Sequence, residues 1–505
     1  MAKLTKWLSW IDEHILKILV IGCIFIIPLL LKYPIKIIDY TYIAFRYDDL
    51  YIGLILFVFA VQLIRKKVRL DKKWLLFFSL FWAGVFLSYL FGYFIQKTVI
   101  YSHLGFLHSA RRVEYMALFF VGVASVKSKQ DFYHYLYATT AALALVCLYG
   151  FGQKFLGFPA LQTMNSEFAK GQLLYLTPEA RVSSTFAGHY DLAGYLVLLM
   201  PIMIGLHLYT KKFVFFIAFL LALGTLILTA SRISYGAYIA SVFAFLIYAR
   251  KPKYLIIITI LTVVATLFSS NLTQRFLKTF QIKQIFVNEK TGQVVVPQKI
   301  TSKELPAGTF YVNIDNKNVQ TTATANTEKL LQEKLLRDVR EEASKSGKKL
   351  TSSDEANLVA TMSANLKPVN SVSADISLAA RLQAEWPRAI SSFLKNPILG
   401  TGPSSITEST DNDFLRWIGE FGLFATSVFL FILFRIGRHV FDTAARIKGN
   451  EQLVLYGFIF GLGALLMNAS YIDVFEASKV AYSFWLLAGI FIGVIPFIKA
   501  SKKNI

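Results

Sequence analysis

Ionisable and polar residues gather at four points of this sequence, each beside the end of a long apolar run. They are segment 181–191, segment 229–232, the pair Arg381 and Arg388, and segment 411–413. Charged groups next to lipid are costly and usually functional, so their accumulation at membrane boundaries indicates chemistry there. The sequence therefore predicts a site at the membrane surface, built from these four places.

The arginines suit a phosphate ligand. A guanidinium group is always charged and binds phosphate oxygens through two parallel hydrogen bonds. Arg232 lies in a very short connection, so it must sit at the edge of a helix bundle, where a snorkelling interfacial anchor is the alternative. Arg381 and Arg388 lie next to a turn predicted on the same side. Several arginines without an obvious cage of metal ligands would hold a pyrophosphate without Mg²⁺, so we expect no metal and no cofactor.

Asp411 is the candidate base. It precedes an apolar run, where burial would raise the pKa of its carboxyl into a range useful for proton transfer from an acceptor hydroxyl. Asp411, Asn412 or Asp413 could instead cap the following helix. His189 is either a second base or a hydrogen-bonded interfacial residue.

Composition describes the scaffold that must hold these groups. The 505 residues are 55% hydrophobic and only 17% charged, which is typical of a polytopic membrane protein. A span needs about 20 mostly apolar residues. By that measure we predict about twelve spans, at 15–32, 50–64, 74–96, 113–126, 131–155, 190–209, 213–230, 233–249, 254–270, 414–434, 452–468 and 480–498.

Lysines and arginines cluster in every second connection, which predicts that both termini lie in the cytoplasm. The loops 33–49, 157–189, 271–413 and 469–479 then face outside. This asymmetry accounts for much of the net charge of +22, so the excess does not indicate nucleic-acid binding. Cys23 and Cys147 fall inside predicted spans and indicate neither a disulfide nor a metal site.

Three regions follow from this topology: nine spans over 1–270, an outer loop domain over 271–413, and three spans over 414–505. The first part of the loop has alternating β-formers broken by turn residues, which predicts a small hairpin followed by helices. We expect this part to be a lid, a spacer or a partner surface rather than the catalytic element. Its last part predicts an interfacial helix, ended by Pro397 and followed by a tight turn at Gly400 and Gly402.

Three segments resemble a known family. They are RVSSTFAGHYDLAGYLVLLMP from residue 181, TASRISYGAYIA from residue 229, and RLQAEWPRAISSFLKNPILGTGPSSI from residue 381 with DNDFLRWIGEFGLFA from residue 411. Their order and topology are similar to those of the O-antigen ligase and O-antigen polymerase superfamily of bacterial membrane glycosyltransferases. The similarity covers roughly residues 180–250 and 375–435.

The resemblance implies a metal-independent enzyme with a fold like that of the family C glycosyltransferases. Such enzymes move a glycan from an undecaprenyl-pyrophosphate carrier to an acceptor glycan or glycolipid, on the outer face of the bacterial cytoplasmic membrane. Arg232 and Arg381 would hold the leaving pyrophosphate, and Arg181 would assist. Arg388 could replace Arg381, because Pro387 interrupts the helix at an unusual point. Asp411 stands before Asn412 where ligases carry histidine.

We therefore expect an inverting glycan transferase, either a surface-polysaccharide polymerase or an O-antigen-ligase-like enzyme, in which Asp411 orients or deprotonates the acceptor. The absence of the ligase histidine favours the polymerase. His189 and Asn412 are expected to contact substrate. A transporter or flippase of lipid-linked oligosaccharide is the alternative, and it predicts interrupted helices at mid-membrane in both halves of the chain. A catalytically inactive relative that scaffolds polysaccharide assembly is a third possibility, because the histidine position is altered.

Overall fold

Apolar helices make up most of the structure, which is a computed structural model. It describes the chain except for residues 1, 42–43, 164–167, 268–271, 274–279, 289–290, 292–293, 296–310, 314–324, 347–349, 375, 407–408, 448 and 501–505. The chain divides into two compact units. The first contains Met1–Thr273 and Glu385–Ile505, and the second contains Gln274–Ala384.

The helices follow the apolar segments of the sequence. Those of the first unit before residue 274 are α1 (Ala2–Leu29), α2 (Tyr47–Ile64), α3 (Lys72–Leu90), α4 (Ser102–Ser125), α5 (Lys129–Phe155), α6 (His189–Thr210), α7 (Phe213–Thr229), α8 (Arg232–Tyr248) and α9 (Pro252–Leu267). The second unit contains α10 (Ala325–Ser346), α11 (Ser352–Ser363) and α12 (Ile376–Ala380). The first unit resumes with α13 (Trp386–Lys395), α14 (Asp413–Arg446), α15 (Gln452–Ala469) and α16 (Ser478–Ala500).

Seven helices among the described residues are long and apolar enough to cross a membrane: α2, α3 with the π-helical turn Phe91–Ile95, α5, α6, α14, α15 and α16. The helices α7, α8 and α9 are also apolar but shorter. This pattern confirms a helical polytopic membrane protein. The count of twelve spans stays a prediction.

Glycines let the central helices approach closely. The span of α6 is 94% buried, and a Cβ at Gly457 or Gly461 of α15 would overlap its backbone carbonyls. Gly122 of α4 and Gly489 of α16 face each other in the same way. Without water in the bilayer to drive apolar association, small residues four apart bring helices into contact by packing. These contacts fix the helix ends that carry the polar groups.

The helix α14 is broken at Gly422, where φ is +65° and ψ is −171°. Segment 397–402 runs beside the break and restores the lost backbone hydrogen bonds. Gly402 N donates to Glu420 O at 2.9 Å, and Leu423 N donates to Pro397 O at 2.8 Å. Irregular backbone at membrane depth requires such internal partners. A Cβ at Gly400 would overlap the Glu420 backbone, so the Gly-x-Gly pattern serves this pairing.

Two short strands precede α2. The strands β1 (Pro34–Ile37) and β2 (Ala44–Arg46) pair antiparallel, and Arg46 directly precedes the helix. The backbone N–H of Arg46 donates to Asp49 Oδ2 at 2.8 Å, which secures the first turn of α2. This hairpin brings Arg46 to the entrance of the bundle.

The second unit combines a sheet with helices. Its strands are β3 (Phe280–Asn288), β4 (Val294–Val295), β5 (Tyr311–Asn313) and β6 (Leu366–Ala374), in the antiparallel order β4-β3-β6-β5. Phe286 of β3 packs against Leu331 and Leu335 of α10 in a small core of its own. The unit ends with α12 and the start of the π-helical turn Arg381–Glu385. Of the predicted loop 271–413, the stretch from Glu385 onward belongs to the first unit.

Candidate functional site

A cavity of about 350 Å³ opens in the first unit among ionisable side chains. A volume of this order lies within the range of small-molecule sites. Its lining includes cations and carboxylates from separate helix ends and loops: Lys32, Arg46, His108, Arg111, His189, Asp191, Asp411, Arg416, Asp473 and Glu476. The arrangement places possible acids, bases and anion ligands in one space.

Asp411 lines the cavity but does not cap α14. Asn412 is the N-cap, and its side chain accepts a hydrogen bond from Leu415 N at 3.0 Å. Asn412 Nδ2 also donates to Ser470 O at 2.8 Å. Asp411 has a left-handed φ of +48° and accepts from Ser409 Oγ at 2.7 Å. Its carboxyl is therefore presented by a tight turn directly before the helix.

Asp473 holds that turn in place. Its carboxylate accepts backbone hydrogen bonds from Thr410 at 3.1 Å, Asp411 at 3.2 Å and Asn412 at 2.9 Å. It also accepts from Arg416 Nη2 at 2.9 Å. A carboxylate that receives several charged and backbone donors is a strong anchor. The conformation of the Asp411 turn thus depends on a residue some sixty positions away in sequence.

A buried ionic network continues from Asp473 to the break in α14. Arg112 donates to Glu476 at 2.6 Å and to Glu420 at 3.3 Å, and Arg416 lies 3.8 Å from Glu420. The guanidinium of Arg112 also stacks 4.4 Å from the centre of the Phe421 ring. Buried charges are tolerated when they are paired in this way. The network joins three residues of the cavity lining, Arg416, Asp473 and Glu476, to the unwound turn.

Arg111 forms a second buried pair. Its two terminal nitrogens donate to the two oxygens of Asp49 at 2.5 and 3.0 Å. Arg111 also donates to Tyr482 Oη at 3.4 Å. This two-point contact ties α4 to α2, and it consumes much of the hydrogen-bonding capacity of Arg111. We therefore assign Arg111 chiefly to holding the wall of the cavity.

The structure brings together two of the predicted substrate residues. Arg181 Nη1 lies 2.5 Å from His189 Nε2, and both side chains contact the Tyr190 ring. Arginine only donates, so His189 Nε2 accepts and the imidazole proton sits on Nδ1. In this arrangement Arg181 orients the His189 ring, and the role of His189 stays a prediction.

Two lysines lie buried beside the cavity. Lys32 follows the end of α1, lines the cavity and donates to Ser478 Oγ at 2.5 Å. Lys479 donates to Leu30 O at 2.6 Å and to Thr185 O at 2.7 Å. These bonds join the end of α1, the start of α16 and the segment leading to His189.

The remaining predicted residues lie elsewhere. Arg232 is half-buried at the first position of α8, and Arg388 is exposed on α13. Neither belongs to the lining of this cavity as far as the described residues show it. Arg381 is buried in the second unit, where its guanidinium donates to Ser377 O at 2.7 Å and to Ser377 Oγ. Their roles stay predictions.

Sequence reasoning did not select Lys32, Arg46, Asp473 or Glu476. All four lie in or beside short loops predicted to face outside, and none belongs to a recognisable motif. One feature of the sequence could have indicated Lys32 and Arg46. Lysine and arginine are depleted in short outer loops, so their presence there is itself unusual.

The comparisons with known proteins agree with the sequence motifs. Residues 217–430 match the model of the family described as O-antigen ligase, which confirms the resemblance. The matched region contains Arg232, Arg381 and Asp411, whereas Lys32, His189 and Asp473 lie outside it. No protein with a curated description matches the chain.

Proposed function

Since the chain matches the O-antigen ligase family over residues 217–430, we propose that it is a glycosyltransferase of surface polysaccharide biosynthesis. The donor is a glycan on undecaprenyl pyrophosphate, and the acceptor is a hydroxyl of a second glycan or glycolipid. One observation supports this proposal above all others. Asp411 lines a charged cavity on a turn held by Asp473, while its neighbour Asn412 caps the helix.

The proposed reaction is a single displacement. The acceptor hydroxyl gives its proton to the Asp411 carboxylate as its oxygen attacks the anomeric carbon. The bond from that carbon to the phosphate oxygen breaks, and its electron pair leaves with the pyrophosphate. Attack from the face opposite the leaving group inverts the anomeric configuration. A positioned base of this kind contributes about 10²–10⁴-fold in rate.

Cationic groups stabilise the charge that develops on the departing pyrophosphate. We assign this role to Arg232 and Arg381, on the strength of the family resemblance, with Arg181 and Arg388 as further contacts. Because arginines supply the counter-charge, the reaction proceeds without a metal ion. Transfer by the purified enzyme is then expected to persist in excess EDTA, and loss of activity restored by Mg²⁺ would contradict this proposal.

A polymerase is the more consistent of the two family activities, because Asp411 replaces the ligase histidine. The transporter alternative has one feature in its favour, the break of α14 at Gly422. That break is stabilised by segment 397–402 and leads to Glu420, which is already paired with arginines. A flippase would move the lipid-linked glycan without forming a glycosidic bond. Product analysis therefore separates the two functions.

The decisive experiment is a transfer assay with lipid-linked oligosaccharide and purified full-length protein. Asp411→Asn is expected to lower kcat by about 100-fold or more, because the amide cannot accept the proton. Arg232→Ala and Arg381→Ala are expected to abolish most product. Asp442→Asn is a matched control, since Asp442 is a carboxylate near the far end of the same helix, where it pairs with Arg438. Wild-type rates in all three site variants would exclude the mechanism.

A further inference from the structure

Lys32 is a buried ammonium group whose observed hydrogen-bond partner is a hydroxyl. Its residue is 4% exposed, and its Nζ donates to the neutral hydroxyl of Ser478 at 2.5 Å. Among the described residues, no carboxylate forms an ion pair with it. A buried charge of this kind is costly unless it is paired. Because Lys32 lines the cavity, an anionic group that enters the cavity would have space to pair with it.

Four charged groups act on Lys32 through space, and three of them are carboxylates, none of which forms an ion pair with it among the described residues. Those that act on it are Arg46, Asp48, Asp49 and Asp191. Asp49 is already engaged by both terminal nitrogens of an arginine of α4. The guanidinium of Arg46 adds a second cation to the same lining, and it is 7% exposed. An anion entering this part of the cavity would meet two cations that are already desolvated.

Lys479 holds the chain next to Lys32 in place. It is 1% exposed, and its ammonium group donates to backbone carbonyls, among them Pro28 at 3.2 Å and Leu30 at 2.6 Å. These contacts fix the chain two residues before Lys32. They therefore hold the segment that carries Lys32 against the start of α16.

We propose that Lys32, supported by Arg46, forms an oxyanion-binding subsite in the cavity. Its ligand is a phosphate or carboxylate group of the substrate, so the inference rests on the proposed function for the source of that anion. Two sources share this chemistry: the pyrophosphate of the lipid carrier and an acidic sugar of the glycan. A compact ammonium group suits either of them, because it binds oxygens as a point charge.

Anion binding to the full chain in lipid nanodiscs tests the proposal directly, with inorganic pyrophosphate and glucuronate as separate probes in calorimetric titrations. Wild type is expected to bind at least one probe. Lys32→Met is expected to weaken that binding at least 10-fold, and Lys32→Arg to retain it. Lys345→Met is the matched control, because Lys345 is an exposed lysine of α10 paired with Glu341 and does not line the cavity. Stronger binding of pyrophosphate identifies the carrier as the source, and stronger binding of glucuronate identifies an acidic sugar.

Equal affinity of Lys32→Met and wild type for the bound probe would overturn the subsite, as would failure of wild type to bind either. A charge-neutral Lys32→Gln, checked with Lys32→Met by thermal unfolding, separates lost binding from lost folding. The transfer assay is independent of this result. Anion binding that depends on Lys32 without any transfer by wild type would remove the proposed enzyme function and leave the subsite.

Discussion

At the scale of single residues, Asp473 is expected to control the reaction without touching the reacting atoms. Asp473→Asn keeps the shape but removes the charge that accepts from Arg416 and from three successive backbone N–H groups. Losing charged hydrogen bonds of this kind costs about 1.5–3 kcal/mol each. The turn that carries Asp411 should loosen, and kcat for transfer should fall at least 10-fold while KM changes little.

Steady-state kinetics with the Asp473 variant give the measurement, and Asp442→Asn again serves as the carboxylate control. The dependence of kcat on pH is a second measurement, and a purely structural role of Asp473 would leave it unchanged. If Asp411 is the base, the acidic limb of kcat should shift in Asp473→Asn. An unchanged kcat with the acidic limb in its original place would contradict the positioning role.

At the scale of elements, the broken helix α14 depends on its partner segment 397–402. Gly400 has a φ of +72° and no room for a Cβ against the Glu420 backbone. Gly400→Ala therefore combines left-handed strain, about 1–2 kcal/mol, with the loss of backbone pairing at the break. Gly157→Ala is a matched control, because Gly157 has a φ of +70° and open space around it.

Thermal unfolding in detergent is expected to show a larger loss of stability for Gly400→Ala than for Gly157→Ala. The difference between the two variants isolates the close approach from the backbone strain that they share. Equal losses would mean that segment 397–402 does not stabilise the unwound turn at Gly422.

The same elements show what sequence can and cannot predict. Long apolar runs identify the membrane helices, because hydropathy is a local property and each span satisfies its own backbone. The break at Gly422 lies inside one such run, and glycine in a helical pattern is tolerated often enough that it does not by itself predict a break. Asp411, Asn412 and Asp413 are all residue types that cap helices well, so the sequence does not choose among them. The backbone geometry shows that Asn412 is the N-cap of α14.

At the scale of the whole molecule, the cavity could not be predicted from the sequence, because the residues that contact one another around it are far apart in the chain. Lys32 meets Ser478 across 446 positions, and Asp473 meets Asn412 across 61. Neither pairing leaves a periodic trace in the sequence. The second unit also depends on contacts between distant segments, since β3 pairs with β6 as well as with its neighbour β4. The family motifs locate Asp411, whereas the residues that surround it come from the ends of other helices.

The orientation of the chain decides which side of the membrane this cavity serves. Cys23 and Cys147 are free and buried, so they should stay unlabelled in intact cells. Ser353→Cys places a thiol at an exposed position of α11, and Asn450→Cys places one at an exposed position between α14 and α15. A membrane-impermeant maleimide should label the first in intact cells and the second only after permeabilisation, because basic residues accumulate in the cytoplasmic loops. The reverse pattern would put the connection before α14 in the cytoplasm. Asp411 would then lie on the wrong side for a donor presented at the outer face, and the proposed reaction could not occur there.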